Sequence, residues 1–173
     1  MPFSVSCQGK FLLSTSYDRT ARCWNFHTGI CLREFHGHKH GIFPLLYLPS
    51  NHDRLGENDF EQEMNIYTKD MLVTGSQDTT AKSWALESGE CLKTFHGHIG
   101  AVLCLAIDVQ GRILFTGSGD NSIRVWDVQR ATQLRILDQH QGAIIQMIVS
   151  ESSNSSFLFQ SMMIYDTVRL GGS

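Results

Sequence analysis

The stretch FHGHKHG places three histidines, His36, His38 and His40, within five positions of a chain that has eight in all. Imidazoles that close could ligate zinc or copper, but one extended segment rarely folds three ligands onto an ion without a distant fourth. The spacing also recurs. TFHGHIG, from Thr94 to Gly100, repeats the Phe-His-Gly-His core, and DQHQG, from Asp138 to Gly142, keeps its histidine at His140. A histidine at a recurring offset marks a structural repeat before it marks a ligand, so no metal and no cofactor is expected.

Other candidate chemistry fares no better. TGSGDNS, residues 116–122, has the glycines of a phosphate loop but no lysine after it, and strand-like rather than helical sequence on both sides. Neither GxSxG nor HExxH occurs. Asp18, Asp78 and Asp120 recur too regularly to form a unique acid–base pair. The expectation is a protein that is not an enzyme.

Aligned on tryptophan, the chain reads SYDRTARCW to Trp24, SQDTTAKSW to Trp84 and SGDNSIRVW to Trp126, with an aspartate six residues before each tryptophan. Gly37, Gly97 and Gln139 each lie thirteen residues after those tryptophans. The distance from His98 to Asp120 is 22 residues and that from His38 to Asp78 is 40, so eighteen residues are added in the second unit. Between these markers run short β-type stretches such as ILFTGSG, CLKTFH and AVLCLAID, separated by turn signals at ESGE, QGR and GDNS. Four short strands per unit of about forty residues is the pattern of a propeller blade.

On VWD at Val125–Asp127, on Gly37-His38 and Gly97-His98, and on the constant aspartate-to-tryptophan spacing, the chain resembles the WD-repeat (WD40) family over roughly residues 11–149. The fold class expected is all-β: an incomplete WD-repeat β-propeller of about three four-stranded blades plus a remnant. The divisions expected are a partial first blade at 1–37, a second blade at 38–97 with an acidic insertion at 49–70, a third at 98–139, the start of a fourth at 140–150, and a divergent tail at 151–173.

The resemblance implies a structural tetrad in each complete blade, made of His38, Thr74, Asp78 and Trp84 in one and His98, Thr116, Asp120 and Trp126 in the next. A buried indole N–H, imidazole and carboxylate must each find a partner, and here each can satisfy the next. The two threonines are chosen because a tight hairpin after Gly119 would set Thr116 opposite Trp126; Ser76 and Ser118 are the alternatives. Ser14, Asp18, Trp24 and His140 are partial tetrads. The four strands expected in each complete unit begin near Ile42 and near Val102. Of the five cysteines, Cys31 and Cys91 occupy equivalent positions and are expected as reduced, buried thiols.

A propeller of this family presents loops to other proteins, and the function expected is a non-catalytic protein-interaction scaffold. The alternatives are a substrate receptor of a ubiquitin ligase, although Gln129 stands where the family's adaptor-docking motif carries a base, or a truncated product without independent function. Candidate partner-binding residues are Tyr17, Arg19, His40, Gln77, Thr79 and Asn121, on the face that bears the aspartate turns. The insertion at 49–70 carries six acids against two bases and could instead dock a basic partner through Phe60, Met64, Ile66 and Tyr67.

Composition narrows the partners. A net charge of −3 and a pI near 6.2 give no basic field for nucleic acid or an anionic membrane. No apolar run approaches the length of a membrane span, and the compartment expected is the cytoplasm, with the nucleus as the alternative. Both ends break the repeat. The first unit's histidine would fall four positions before residue zero, and the fourth unit's tryptophan and aspartate would fall at Val168 and Met162. An inner strand near Ile144–Ser150 should precede the divergent tail. An open arc of blades should self-associate, with Phe3, Val5, Ile144 and Ile145 near the open ends.

Overall fold

The computed structural model describes residues 3–5, 11–50, 69–150 and 163–164. Among them every regular element is a β-strand. Three four-stranded antiparallel sheets follow one another along the chain. The first contains β1 (Phe3–Val5), β2 (Phe11–Thr15), β3 (Ala21–Asn25) and β4 (Cys31–Phe35). The second contains β5 (Ile42–Leu48), β6 (Met71–Ser76), β7 (Ala81–Ala85) and β8 (Cys91–Phe95). The third contains β9 (Val102–Ile107), β10 (Ile113–Ser118), β11 (Ile123–Asp127) and β12 (Thr132–Leu137). Strand order within each sheet is sequence order, as a meander requires, and the innermost strands β1, β5 and β9 pack beside one another.

Period-two burial explains why these segments are strands. In β9 the pattern alternates strictly, with Val102, Cys104 and Ala106 buried and their neighbours half-exposed. The second strand of a blade is covered on both faces: β6 is buried throughout, as is β10 from Leu114 onward. One face of a blade packs on its predecessor and the other on its successor. Leu13, Ala21, Cys23 and Phe35 of the first sheet close on Ile42, Leu72, Trp84 and Leu86 of the second. Val73, Ala81 and Phe95 of the second close on Leu114, Trp126 and Val128 of the third.

The first sheet has four strands, since β1 pairs with β2 from Phe3↔Ser14 to Val5↔Leu12. The hairpin register differs from expectation. Thr116 faces Arg124, and the residue opposite Trp126 is Leu114. The inner strand expected at Ile144–Ser150 is reduced to β13 (Val149–Ser150), which pairs with β14 (Met163–Ile164). Residues 143–148 are not strand, yet Ile144 and Met147 are buried against Cys104, Phe115 and Val125 of the third sheet. Of the insertion, residues 51–68 lie outside the described residues, as does most of the tail. The cysteine expectation needs correction: Cys23 and Cys104 are buried, whereas Cys31 is half-buried and Cys91 exposed, on outer strands that no further layer covers.

Candidate interaction face and its hydrogen-bonded supports

Each blade's second and third strands are joined by a turn held in the same way. Asp78 Oδ1 accepts the Thr80 N–H at 3.0 Å and the Thr80 hydroxyl at 2.6 Å, and Asp120 does the same with Ser122. The hydroxyls of Ser76 and Ser118 accept the N–H of Asp78 and Asp120 at 3.0 and 3.1 Å. The residue after each aspartate takes a left-handed backbone, with φ of 73° at Arg19, 70° at Thr79 and 68° at Asn121. Asparagine tolerates that region; arginine and threonine are held there by the turn.

On this frame the tetrad residues meet. Trp84 Nε1 donates to Thr74 Oγ1 at 2.8 Å, Thr74 Oγ1 lies 2.9 Å from His38 Nε2, and His38 Nδ1 lies 2.8 Å from Asp78 Oδ2. In the third sheet Trp126 Nε1 donates to Thr116 Oγ1 at 2.9 Å, and His98 contacts Thr116 and Asp120 at 2.7 Å on either side. The register puts each threonine two residues from its tryptophan's cross-strand partner, so the indole reaches it diagonally, within range of a long side chain. Ser76, the alternative to Thr74, is occupied elsewhere: its hydroxyl contacts the carbonyls of His40 and Gly41.

The direction of the chain of bonds follows from its ends. An indole can only donate, so the threonine oxygen accepts from it and gives its own proton to His Nε2; the imidazole is then neutral, with Nδ1–H donating to the carboxylate. Electrostatics agree. Burial pushes the pKa of His38 and His98 down despite their aspartate partners. Burial alone would raise Asp78, but hydrogen bonds from Thr80, the Lys39 N–H and His38 outweigh it and bring it down to about 2. Asp120 is likewise held well below the usual carboxylate range, burial being outweighed by Ser122, His98 and the Ile99 N–H.

The first blade holds only part of this arrangement. Trp24 Nε1 donates to Ser14 Oγ at 2.9 Å, and Asp18 binds Thr20 by backbone and side chain. His140 is exposed, apart from both complete tetrads. His36 is also exposed, and its Nε2 contacts Glu34 Oε2 at 3.0 Å. Sequence reasoning missed Thr80 and Ser122, although their recurrence two places after each aspartate was a signal. It also missed the clasp at the insertion's base, where Asp70 accepts the Ser50 N–H at 2.7 Å and the Tyr47 hydroxyl at 2.9 Å.

The candidate partner-binding residues share the turn face. Tyr17, Arg19, His40 and Gln77 are exposed, while Thr79 and Asn121 are half-buried. Gln77 N–H donates to the Gly41 carbonyl at 2.9 Å, and Ile42 N–H to the Ser16 carbonyl at 3.0 Å, so the loop leading into the second blade is tied to the turns of both the first and second blades. Among the described residues, no helix is long and apolar enough to cross a membrane.

The family model for "WD domain, G-beta repeat" matches residues 3–25 and 89–127. Over 45 residues, 26% of this chain and 12% of the relative, the sequence is 56% identical to WD repeat-containing protein 86 of Homo sapiens. It is 31% identical over 113 residues to nuclear distribution protein nudF 2 of Penicillium rubens, covering 64% of this chain and 24% of that protein. A probable E3 ubiquitin ligase complex SCF subunit sconB of Emericella nidulans is 29% identical over 143 residues, covering 60% of this chain and 21% of the relative. The chain thus spans a quarter or less of the length of these relatives. Three meander sheets stacked by a repeated tryptophan, with the family model matching residues 3–25 and 89–127, are what this chain shares with the WD-repeat family.

Proposed function

We propose that this chain is a non-catalytic scaffold that holds other proteins through its turn face. The observation that carries the reading is the division of labour among polar groups. The groups with catalytic potential, His38, His98, Asp78 and Asp120, are spent on one another and on buried threonines. The side chains that stand free of that network, Tyr17, Arg19, His40 and Gln77, lie on rigidly held turns and loops. The structural tetrads therefore position the contact residues without contacting the partner themselves. Thr79 and Asn121 belong to the same face as second-rank contacts.

The partners in this reading are proteins, met in the cytoplasm; the chain's net charge of −3 favours neither nucleic acid nor an anionic membrane. A second reading, the substrate-receptor role in a ubiquitin ligase, is supported by the likeness to the probable SCF subunit sconB of Emericella nidulans. Affinity purification of the full chain followed by mass spectrometry separates them. Recovery of diverse partners without ligase components supports the scaffold. Recovery of ligase adaptors supports the receptor, and recovery of chaperones alone counts against both.

A further inference from the structure

At the first junction a turn residue of one blade lies against the loop leading into the next, and the equivalent sequence positions of the other two units can be set beside it. The turn position before the aspartate is Tyr17, Gln77 or Gly119, and the loop position three after the next unit's histidine is Gly41, Ala101 or Ala143. The glycine therefore occurs where the turn residue is aromatic. A Cβ on Gly41 would lie 2.9 Å from Tyr17 Cδ1 and 3.4 Å from Tyr17 Cα, closer to the ring carbon than side chains pack. Only a residue without a side chain lets the tyrosine ring lie there.

The ring is braced and yet open. Tyr17 meets Phe43 edge to face, with centroids 5.3 Å apart and planes at 86°. Phe43 is itself fixed, since the Thr15 hydroxyl donates to its carbonyl at 3.0 Å, and it is replaced by Leu103 and Ile145 at the other two junctions. Despite this bracing Tyr17 remains 70% exposed. A rigid, exposed aromatic ring loses little entropy on binding, which is why tyrosine is enriched at the energetic centres of interfaces.

The cations on the turn and loop that carry Tyr17 and Gly41 outnumber the exposed acids. Arg19 and Lys39 are exposed, and His40 stands beside Gly41. Of the nearby acids, the Asp78 side chain is 6% exposed and bound to His38, while Asp18 is 50% exposed but engaged by the Thr20 hydroxyl and by Arg22, 3.7 Å away. On the inner side the surface continues into an open groove lined by Phe43, Leu103, Ile145 and Met147.

We infer that Tyr17, Gly41 and Phe43 form a seat for an aromatic side chain of a partner peptide whose flanking residues are acidic, with Arg19 and Lys39 meeting the carboxylates. The inference deepens the scaffold reading and rests on it. Gly41 is a positioning residue, acting through the ring it allows to settle.

The test uses the full chain and two fluorescein-labelled heptapeptides, Asp-Glu-Asp-Phe-Asp-Glu-Asp and its counterpart with lysines for the acids, followed by fluorescence polarisation. The acidic peptide should bind more tightly than the basic one, and replacing its phenylalanine by alanine should weaken it. Tyr17→Ala should weaken binding roughly ten-fold or more. Gly41→Ala should weaken binding by displacing the ring while leaving the melting temperature unchanged. The double variant Tyr17→Gln/Gly41→Ala installs the pair already present between the second and third blades; it should melt like the parent and lose the peptide. Equal binding of the two peptides, or undiminished binding by the double variant, overturns the seat. Partner proteins captured equally by parent and double variant also overturn it while leaving the scaffold reading standing; absence of any captured partner takes both away.

Discussion

Thr116 is the residue on which a blade's polar core turns, because its hydroxyl serves two groups that have no other partner among the described residues, the Trp126 indole N–H and His98 Nε2. Thr116→Val keeps the shape and orphans both. Leaving a buried donor or acceptor unsatisfied costs about 1–3 kcal/mol each, so a loss of about 2–6 kcal/mol is expected in urea unfolding. Trp126→Ala should cost about 3–5 kcal/mol through the cavity it opens; unchanged unfolding of that variant would show that the tetrad does not support the blade. The choice of threonine over serine was legible in the sequence, but for an inexact reason. Thr116 was expected directly opposite Trp126, whereas it faces Arg124 and is reached on the diagonal. The Tyr17–Gly41 pair was not legible, because it joins two blades, and nothing in a single repeat says which loop atom lies under which ring.

The same tetrads set the response to pH. Protonating His38 or His98 would turn Nε2 into a donor, leaving the threonine proton without its acceptor, in keeping with the burial that depresses both pKa values. A depressed histidine contributes stability that is fully present above its unfolded pKa, near 6.5, and is lost as pH falls below it. Asp78, at about 2 when folded, adds stability that is present above about pH 4 and fades as pH falls toward 2. The expected profile is a melting temperature flat above pH 7, declining from about pH 6.5 and more steeply below pH 4. His98→Gln should lessen the first decline, with His38 accounting for the rest; a decline from pH 6.5 that persists unchanged in His38→Gln/His98→Gln would assign it to other groups.

At the scale of elements, strand positions were the most legible feature, since turn signals bound the short β-type stretches, and the expected starts at Ile42 and Val102 coincide with β5 and β9. The inner strand expected near Ile144 was less legible. Its apolar residues do pack, Ile144 and Met147 on the third sheet, but a strand needs hydrogen-bonding partners that composition does not reveal. The insertion illustrates the reverse case. It reads as a break in the repeat, yet Asp70 at its end clasps Ser50 and Tyr47 at its beginning, and the hydrogen bonds from Ser50 and Tyr47 hold its pKa down against the effect of burial. Leu48 pairs with Met71 across that clasp. Joining Ser50 directly to Lys69 therefore leaves a four-residue hairpin, Pro49-Ser50-Lys69-Asp70, of ordinary length. Removal of 51–68 should keep the melting temperature within a few degrees, whereas Asp70→Ala in the shortened chain should cost about 1 kcal/mol for the lost bonds. Collapse of the shortened chain would mean that residues 51–68 are needed for the second blade.

At the scale of the molecule, the blade faces that meet inside the chain predict what its unmatched faces do. Phe35 and Phe95 occupy equivalent places, and each lies against the next blade's tryptophan, at 6.0 Å from Trp84 and 5.7 Å from Trp126. They are 0% and 1% exposed; the equivalent residue of the third blade, Leu137, is 37% exposed, and Ile136 beside it 44%. On the first blade the equivalent of the buried Leu86 and Val128 is Phe26, which is 58% exposed. Each face thus presents half of a contact that is made twice between the blades, and apolar area left open in this way favours association with a complementary surface. A second copy of the chain carries that surface, so the 173-residue chain is expected to self-associate head to tail, a geometry that need not close and can therefore extend beyond dimers. Light scattering over a wide concentration range should show mass rising with concentration. Leu137→Lys and Phe26→Lys should each shift the transition to higher concentration, and the two together should add little to either alone, because one contact uses both faces. A cooperatively unfolding monomer at every concentration would remove the proposal.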